Sequence, residues 1–133
     1  MGGIFMSRSI EVPIKSFPAG WFVTWEVSSQ CYNNGYIQIK SGGNVLDTIR
    51  KTDHSTNLQF LGNGKVFLPS QDMVVVISID EGAEAIYERH QASMILNNKG
   101  ETVGVTIGIC VEDSNDEDYN DFFISLAGWK KQG

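Results

Sequence analysis

Apolar residues recur at every second position through most of this chain, a period that side chains keep only in a half-buried β-strand. Ile10-Glu11-Val12-Pro13-Ile14-Lys15 alternates in this way, and so does Tyr36-Ile37-Gln38-Ile39-Lys40. Val103-Gly104-Val105-Thr106-Ile107-Gly108-Ile109 alternates with small residues on its second face. Met73-Val74-Val75-Val76-Ile77-Ser78-Ile79 is denser, as a central strand covered on both faces requires. Turn signals punctuate the runs: Phe17-Pro18-Ala19-Gly20, Asn33-Asn34-Gly35, Ser41-Gly42-Gly43-Asn44, Gly62-Asn63-Gly64-Lys65 and Asn97-Asn98-Lys99-Gly100. Gly and Asn at such points supply the positive φ of tight hairpins. Short strands at this spacing predict an all-β fold, an antiparallel β-sandwich with Greek-key-like connections. A chain of 133 residues is long enough for one domain with a real core, and no repeat or linker divides it. Residues 8–133 are expected to form that domain, after a flexible N-terminal tail of residues 1–7.

One segment fits the rhythm poorly. Glu81-Gly82-Ala83-Glu84-Ala85-Ile86-Tyr87-Glu88-Arg89-His90-Gln91-Ala92 contains good helix formers. It reads either as a short helix or as a loop leading into a strand through Ser93-Met94-Ile95-Leu96. The two cysteines, Cys31 and Cys110, fall in strand-like segments and match no zinc spacing. Free cysteines acting as small hydrophobes are expected, with a disulfide joining two sheets as the alternative.

Charge is concentrated in one place. The chain has 16 acidic and 10 basic residues, a formal charge of −6. Six of the acids lie within Glu112-Asp113-Ser114-Asn115-Asp116-Glu117-Asp118-Tyr119-Asn120-Asp121, so the remainder is neutral, 10 against 10. Crowded carboxylates repel unless something offsets them, and a hard cation with oxygen ligands does so. Asp116, Asp118 and Asn120 alternate and Asp121 follows, so their oxygens can converge on one ion. The order begins like an EF-hand loop, which needs Gly at position 6 and Glu at position 12. Asp121 and Ala127 stand there instead, and β-prone Phe122-Phe123-Ile124-Ser125-Leu126 follows, so the EF-hand is rejected. The alternative is a solvated acidic turn or an acidic linker. Tyr119, Phe122 and Phe123 beside the acids disfavour the linker.

The pattern Glu112-Asp113-x-x-Asp116-x-Asp118-Tyr119-Asn120-Asp121, followed by an apolar strand, Trp129 and a C-terminal Gly133, resembles the PA-IIL-like family of calcium-dependent fucose- and mannose-binding bacterial lectins. The resemblance lies in roughly the last fifth of the chain. It implies a site for two neighbouring Ca²⁺ ions, to which two sugar hydroxyls bind directly. Glu112, Asp116, Asp118, Asn120 and Asp121 would be metal ligands, and Gly133 would lend its carboxylate to a partner subunit's site. Asp113 and Asn115 would contact sugar hydroxyls. The family completes the site from an early hairpin, for which the candidates are Ser28 and Ser29, or Asn33, Asn34 and Gly35. The family's tail after the Trp is Pro-Leu-Gly, whereas this chain has Lys130-Lys131-Gln132-Gly133, and its Trp lies one residue farther from the last Asp.

Other function classes find little support. No apolar run approaches the ~18 residues of a membrane span. The net acidity and the lack of a basic stripe disfavour nucleic acid. The start, Met1-Gly2-Gly3-Ile4-Phe5-Met6-Ser7-Arg8, shows no signal-peptide pattern. Cytoplasmic synthesis is therefore expected, with export or display at the cell surface requiring a route without a signal sequence. His54 and His90 are the only histidines, and no motif sets a nucleophile beside either, so both are expected at the surface and no enzyme activity is expected. Metal-bound carboxylates stay ionised, which opposes the raised-pKa acid of a glycosidase. The expected function is a Ca²⁺-dependent lectin for fucose- and mannose-type glycans, a homodimer or homotetramer. The alternative is a calcium-stabilised structural or self-assembly sandwich that has lost sugar binding.

Overall fold

A computed structural model of the chain describes residues 8–80, 85–112 and 121–130. Nine strands follow in order: β1 (Arg8–Ile14), β2 (Trp21–Ser29), β3 (Gly35–Ser41), β4 (Asn44–Lys51), β5 (Gln59–Phe67), β6 (Met73–Ile79), β7 (Tyr87–Leu96), β8 (Thr102–Glu112) and β9 (Phe122–Lys130). They form a four-stranded sheet, β1-β6-β3-β4, and a five-stranded sheet, β5-β2-β9-β8-β7. All neighbouring pairs are antiparallel. The early strands change sheets at almost every connection, and β6 returns to lie between β1 and β3. The last three strands run as a meander, β7-β8-β9. The expected tail, residues 1–7, lies outside the described residues.

The period-two pattern sets what the sandwich buries. In β3 the alternate residues Ile37 and Ile39 are fully buried, and in β2 Val23, Trp25 and Val27 face them from the other sheet. Ile107, Ile109, Val111, Ile124 and Leu126 complete the core from β8 and β9. Each such side chain contributes ~1.5–3 kcal/mol by leaving water. The Trp25 indole N–H, buried with its ring, donates to Asp47 Oδ2 at 2.8 Å. The dense run in β6 is explained by its central place: Val76 and Ser78, on its outer face, are also buried.

The turn at Gly42-Gly43 is a two-residue hairpin with φ of 58° and 82°, joining β3 to β4. Gly100, with φ 77°, closes the β7–β8 hairpin. Two readings need correction. Gly62-Asn63-Gly64-Lys65 is not a turn but the middle of β5. Its glycines are there because the Trp25 ring lies where a Gly64 Cβ would stand, and Ile49 presses on Gly62. Nor is the helix-prone segment a helix or a loop after residue 86, since Tyr87–Leu96 is one continuous edge strand. Its polar residues fit because the strand is exposed on both faces, so burial never imposes alternation on it. Residues 81–84 lie outside the described residues. No disulfide joins Cys31 and Cys110, and Cys31 lies just past the end of β2 rather than within a strand.

Candidate functional site

The acidic segment is the β8–β9 connection, so its two ends are fixed by neighbouring strands of one sheet. Val111 pairs with Phe122, and the Asp121 N–H donates to the Val111 carbonyl at 3.0 Å. Glu112 and Asp121 therefore stand one step beyond the last pair that β8 makes with β9, at one end of the sandwich. Both are buried, at 1% and 5% exposure. A buried carboxylate is costly unless compensated, so the placement of two at the mouth of one loop is a strong constraint. Asp113, Asn115, Asp116, Asp118, Asn120 and Gly133 lie outside the described residues.

The early connection β2–β3 reaches the same end. Ser29, the last residue of β2, lies opposite Phe122, and its hydroxyl donates to the Asp121 carbonyl at 2.6 Å. The Cys31 thiol is 3.4 Å from that hydroxyl and 3.5 Å from the Asn33 carbonyl. Ser28 has the opposite parity and lies beside Phe123 on the outer face. Of the two sets of hairpin candidates, Ser29 is thus joined directly to the acidic connection. Asn34 is occupied differently: its Oδ1 accepts the His54 N–H at 2.9 Å, and its carbonyl accepts the Asp80 N–H. Gly35 begins β3 where a Cβ would collide with the Ser78 carbonyl, which gives its glycine a packing reason.

Three residues that the sequence did not single out for the site gather beside this turn. Lys51, at the end of β4, has the inward parity of Ile49 and is completely buried. Its Nζ donates to the Tyr32 carbonyl at 3.3 Å and lies 3.5 Å from Asp53 Oδ1. His54 Nδ1 lies 3.2 Å from the same Tyr32 carbonyl, so that nitrogen carries a hydrogen. The His54 ring stacks on the Tyr32 ring, centroids 4.6 Å apart. His54 was expected at the surface and is in fact half-buried, with a left-handed φ of 53°. Asp53 is held below the usual carboxylate range by the Ser55 N–H, then by Gln59, with a smaller pull from Lys51. Nothing in the sequence flags Lys51, because its burial follows from strand register alone.

The donors available at the acidic connection are hard oxygens, which suit Ca²⁺ rather than a soft metal. Among the described residues no three acidic, His or Cys side chains converge. The described acids, Glu112 and Asp121, bracket the segment that carries the rest.

Far from this end, the outer face of the five-stranded sheet is unusually aromatic. Phe22 meets Phe67 edge-on with centroids 5.5 Å apart, and Trp129 lies 6.1 Å from Phe22. All three are exposed.

No family model matches the sequence, and no curated protein does. Solved structures do match in shape. A high-affinity mannose-binding lectin of Ralstonia solanacearum superposes with a TM-score of 0.64 at 18% identity, covering 87% of this chain and 94% of that one. The chain has the fold of a bacterial lectin. The C-terminal domain of the BC2L-C lectin of Burkholderia cenocepacia gives 0.61 at 19% identity, over 96% of this chain and 100% of that one. The Chromobacterium violaceum lectin CV2L, solved in complex with α-methyl-fucoside, gives 0.59 at 17% identity, over 87% and 94%. At such identities the likeness lies in the backbone, with most side chains replaced.

Proposed function

We propose that this chain is a PA-IIL-like, calcium-dependent lectin that binds fucose- and mannose-type sugars and has no enzymatic role. One observation carries the reading: the buried Glu112 and Asp121 bracket the acidic run at one end of a lectin-fold sandwich, with Ser29 fastened to Asp121. In this reading Glu112, Asp116, Asp118, Asn120 and Asp121 hold two Ca²⁺ ions. Bound calcium supplies positive charge and open coordination positions for two vicinal hydroxyl oxygens. Asp113 and Asn115 accept and donate hydrogen bonds that select sugar stereochemistry. Ser29 fixes the Asp121 backbone, and its oxygen keeps acceptor capacity for a sugar hydroxyl. In this reading Ser28 and the Asn34 amide N–H₂ would add hydrogen bonds to the sugar.

The protein works as a homodimer in this reading, since weak sites gain from being joined. The aromatic row Phe67-Phe22-Trp129 supports a second copy as the occupant of the outer sheet face. That face also carries Lys65 and Glu26, opposite charges that a two-fold pairing can set against each other. The Gly133 carboxylate would then reach the partner's metal site.

The same aromatic face supports a second reading, a calcium-stabilised self-assembling protein without sugar binding. The departing tail, Lys130-Lys131-Gln132, favours it too. Retention on mannose and fucose resins in millimolar Ca²⁺, with release by EDTA, is the expected result. A protein that dimerises and melts higher in Ca²⁺ but passes through both resins would replace the first reading by the second.

A further inference from the structure

The outer face of strands β5, β2 and β9 is ordered in cross-strand rows. The registers put Phe67, Phe22 and Trp129 in a row at one end, and Phe60, Ser28 and Phe123 in a row at the other. Rings thus stand on all three strands at one end. At the other end they stand on the two flanking strands, with a small serine between them. All five rings are exposed. The two rows between the ends line a shallow trough of about 600 Å³. The four-stranded sheet turns Glu11, Gln38, Thr48 and Arg50 outward, so its outer face is polar where this one is aromatic.

Shape and charge both match this face to a second copy of itself. A two-fold axis lying across the strands in the plane of contact sets each strand antiparallel against its own copy. With the axis level with Trp25, Phe22 lies over the partner's Ser28, in the gap between the partner's Phe60 and the partner's Phe123. Trp129 then meets the partner's Phe123, and Phe67 meets the partner's Phe60. In the middle rows Lys65 stands opposite Thr24, and Glu26 stands opposite Asn63. Lys65 and Glu26 are diagonal neighbours, yet no ion pair joins them or ties either to another described residue. The same axis brings Lys65 within one strand spacing of the partner's Glu26. An axis running along the strands would set each row on its own copy and keep the two charges apart. Five strands ~4.8 Å apart, the middle ones nine residues long, present roughly 700 Å². A stable interface takes ~800 Å² from each partner, so the face is large enough.

We propose that this face is a head-to-tail, two-fold interface between two copies of the chain, with Phe22 as the knob, Ser28 as its hole, and Lys65 paired with the partner's Glu26 on each side of the axis. The inference rests on the homodimer reading above and fixes its register. It assigns Ser28 to the interface and leaves the sugar to Ser29. Charges matched across such a surface set its register and reject other pairings.

The test is sedimentation of the full chain in excess Ca²⁺, for the wild type, Lys65→Glu, Glu26→Lys and an equal mixture of the two variants. Both side chains are exposed, so the variants should fold. The wild type should be a dimer. Each variant alone sets like charges across the axis twice, and its dimer should weaken at least about tenfold. The mixture should give a heterodimer about as tight as the wild type, because both crossing contacts again join Lys to Glu. Ser28→Phe fills the hole and should also weaken the dimer. Adding Phe22→Ser to it exchanges knob and hole and should restore association. A wild type that stays monomeric overturns the interface, and its retention on the sugar resins then spares the lectin. A dimer that every variant leaves intact overturns this face and spares the homodimer. A mixture no tighter than the single variants overturns the charge-paired register.

Discussion

Single side chains at the acidic connection divide into those that composition reveals and those that only register reveals. Glu112 and Asp121 were legible because six carboxylates in ten residues demand an explanation. Lys51 was not, because an inward lysine and an outward lysine look alike until the strand's face is known. The inner acids should act as a cage rather than as a diffuse field. Asp118→Asn removes a charge at nearly constant shape, and it should weaken calorimetric Ca²⁺ binding far more than Glu117→Gln, whose side chain has the opposite parity in the alternating pattern. Equal losses would mean that only the total charge matters. Beside Lys51, the Asp53 carboxyl is held below its ordinary range by the Ser55 N–H, with Gln59 and Lys51 adding to the effect. A carboxylate with a lowered folded-state pKa lends stability above its unfolded pKa of ~3.9, and that is lost as pH falls through the lowered value. Asp53→Asn should therefore destabilise at pH 7 in urea unfolding, and the gap from wild type should narrow towards pH 2–3. A gap that stays constant with pH would place the effect in packing instead.

At the scale of elements, β1, β3, β6 and β8 were readable from their apolar runs, and β5 and β7 were not. β3, β6 and β8 show the period because the opposing sheet covers them. β7 concealed its identity because it is an edge strand open on both faces, so Glu88, Arg89, His90 and Gln91 fit it without cost. The glycines of β5 misled for another reason. Gly-Asn-Gly is good turn chemistry, and the local signal was overridden by a distant tryptophan. A Cβ on Gly64 would overlap the Trp25 ring, whose indole N–H is tied to Asp47. Overpacking of this sort costs ~1–3 kcal/mol. Gly64→Ala should lower stability by that amount in denaturant unfolding and leave Ca²⁺ affinity intact, since the acidic connection lies on β8 and β9. A neutral effect would show that Trp25 can shift freely and that the glycine answers to something else.

For the whole molecule, the sequence carried the architecture, because the sandwich follows from alternation. The aromatic face escaped it, since Phe22, Phe67 and Trp129 are far apart in sequence and meet only across strands β5, β2 and β9. Assembly and calcium should be linked through that face. β9 ends at Lys130, next to Trp129, and Lys131, Gln132 and Gly133 follow in the sequence. If a partner's tail carboxylate completes each metal site, calcium binds the dimer more tightly than the monomer, and by reciprocity calcium tightens the dimer. Ligand at a hundredfold excess over its Kd stabilises the native state by ~2.7 kcal/mol, which for a chain of this size raises the melting temperature by about 10 °C. Deleting Gln132 and Gly133 should cut that calcium-induced rise and weaken both dimerisation, followed by analytical ultracentrifugation, and retention on the sugar resins. Trp129→Ser should weaken dimerisation by a different route, through the sheet face, and reduce resin retention through lost avidity while each monomer still binds monosaccharide. If the truncated chain keeps the full melting shift and the full retention, the carboxylate takes no part in the metal site and calcium acts within one subunit alone.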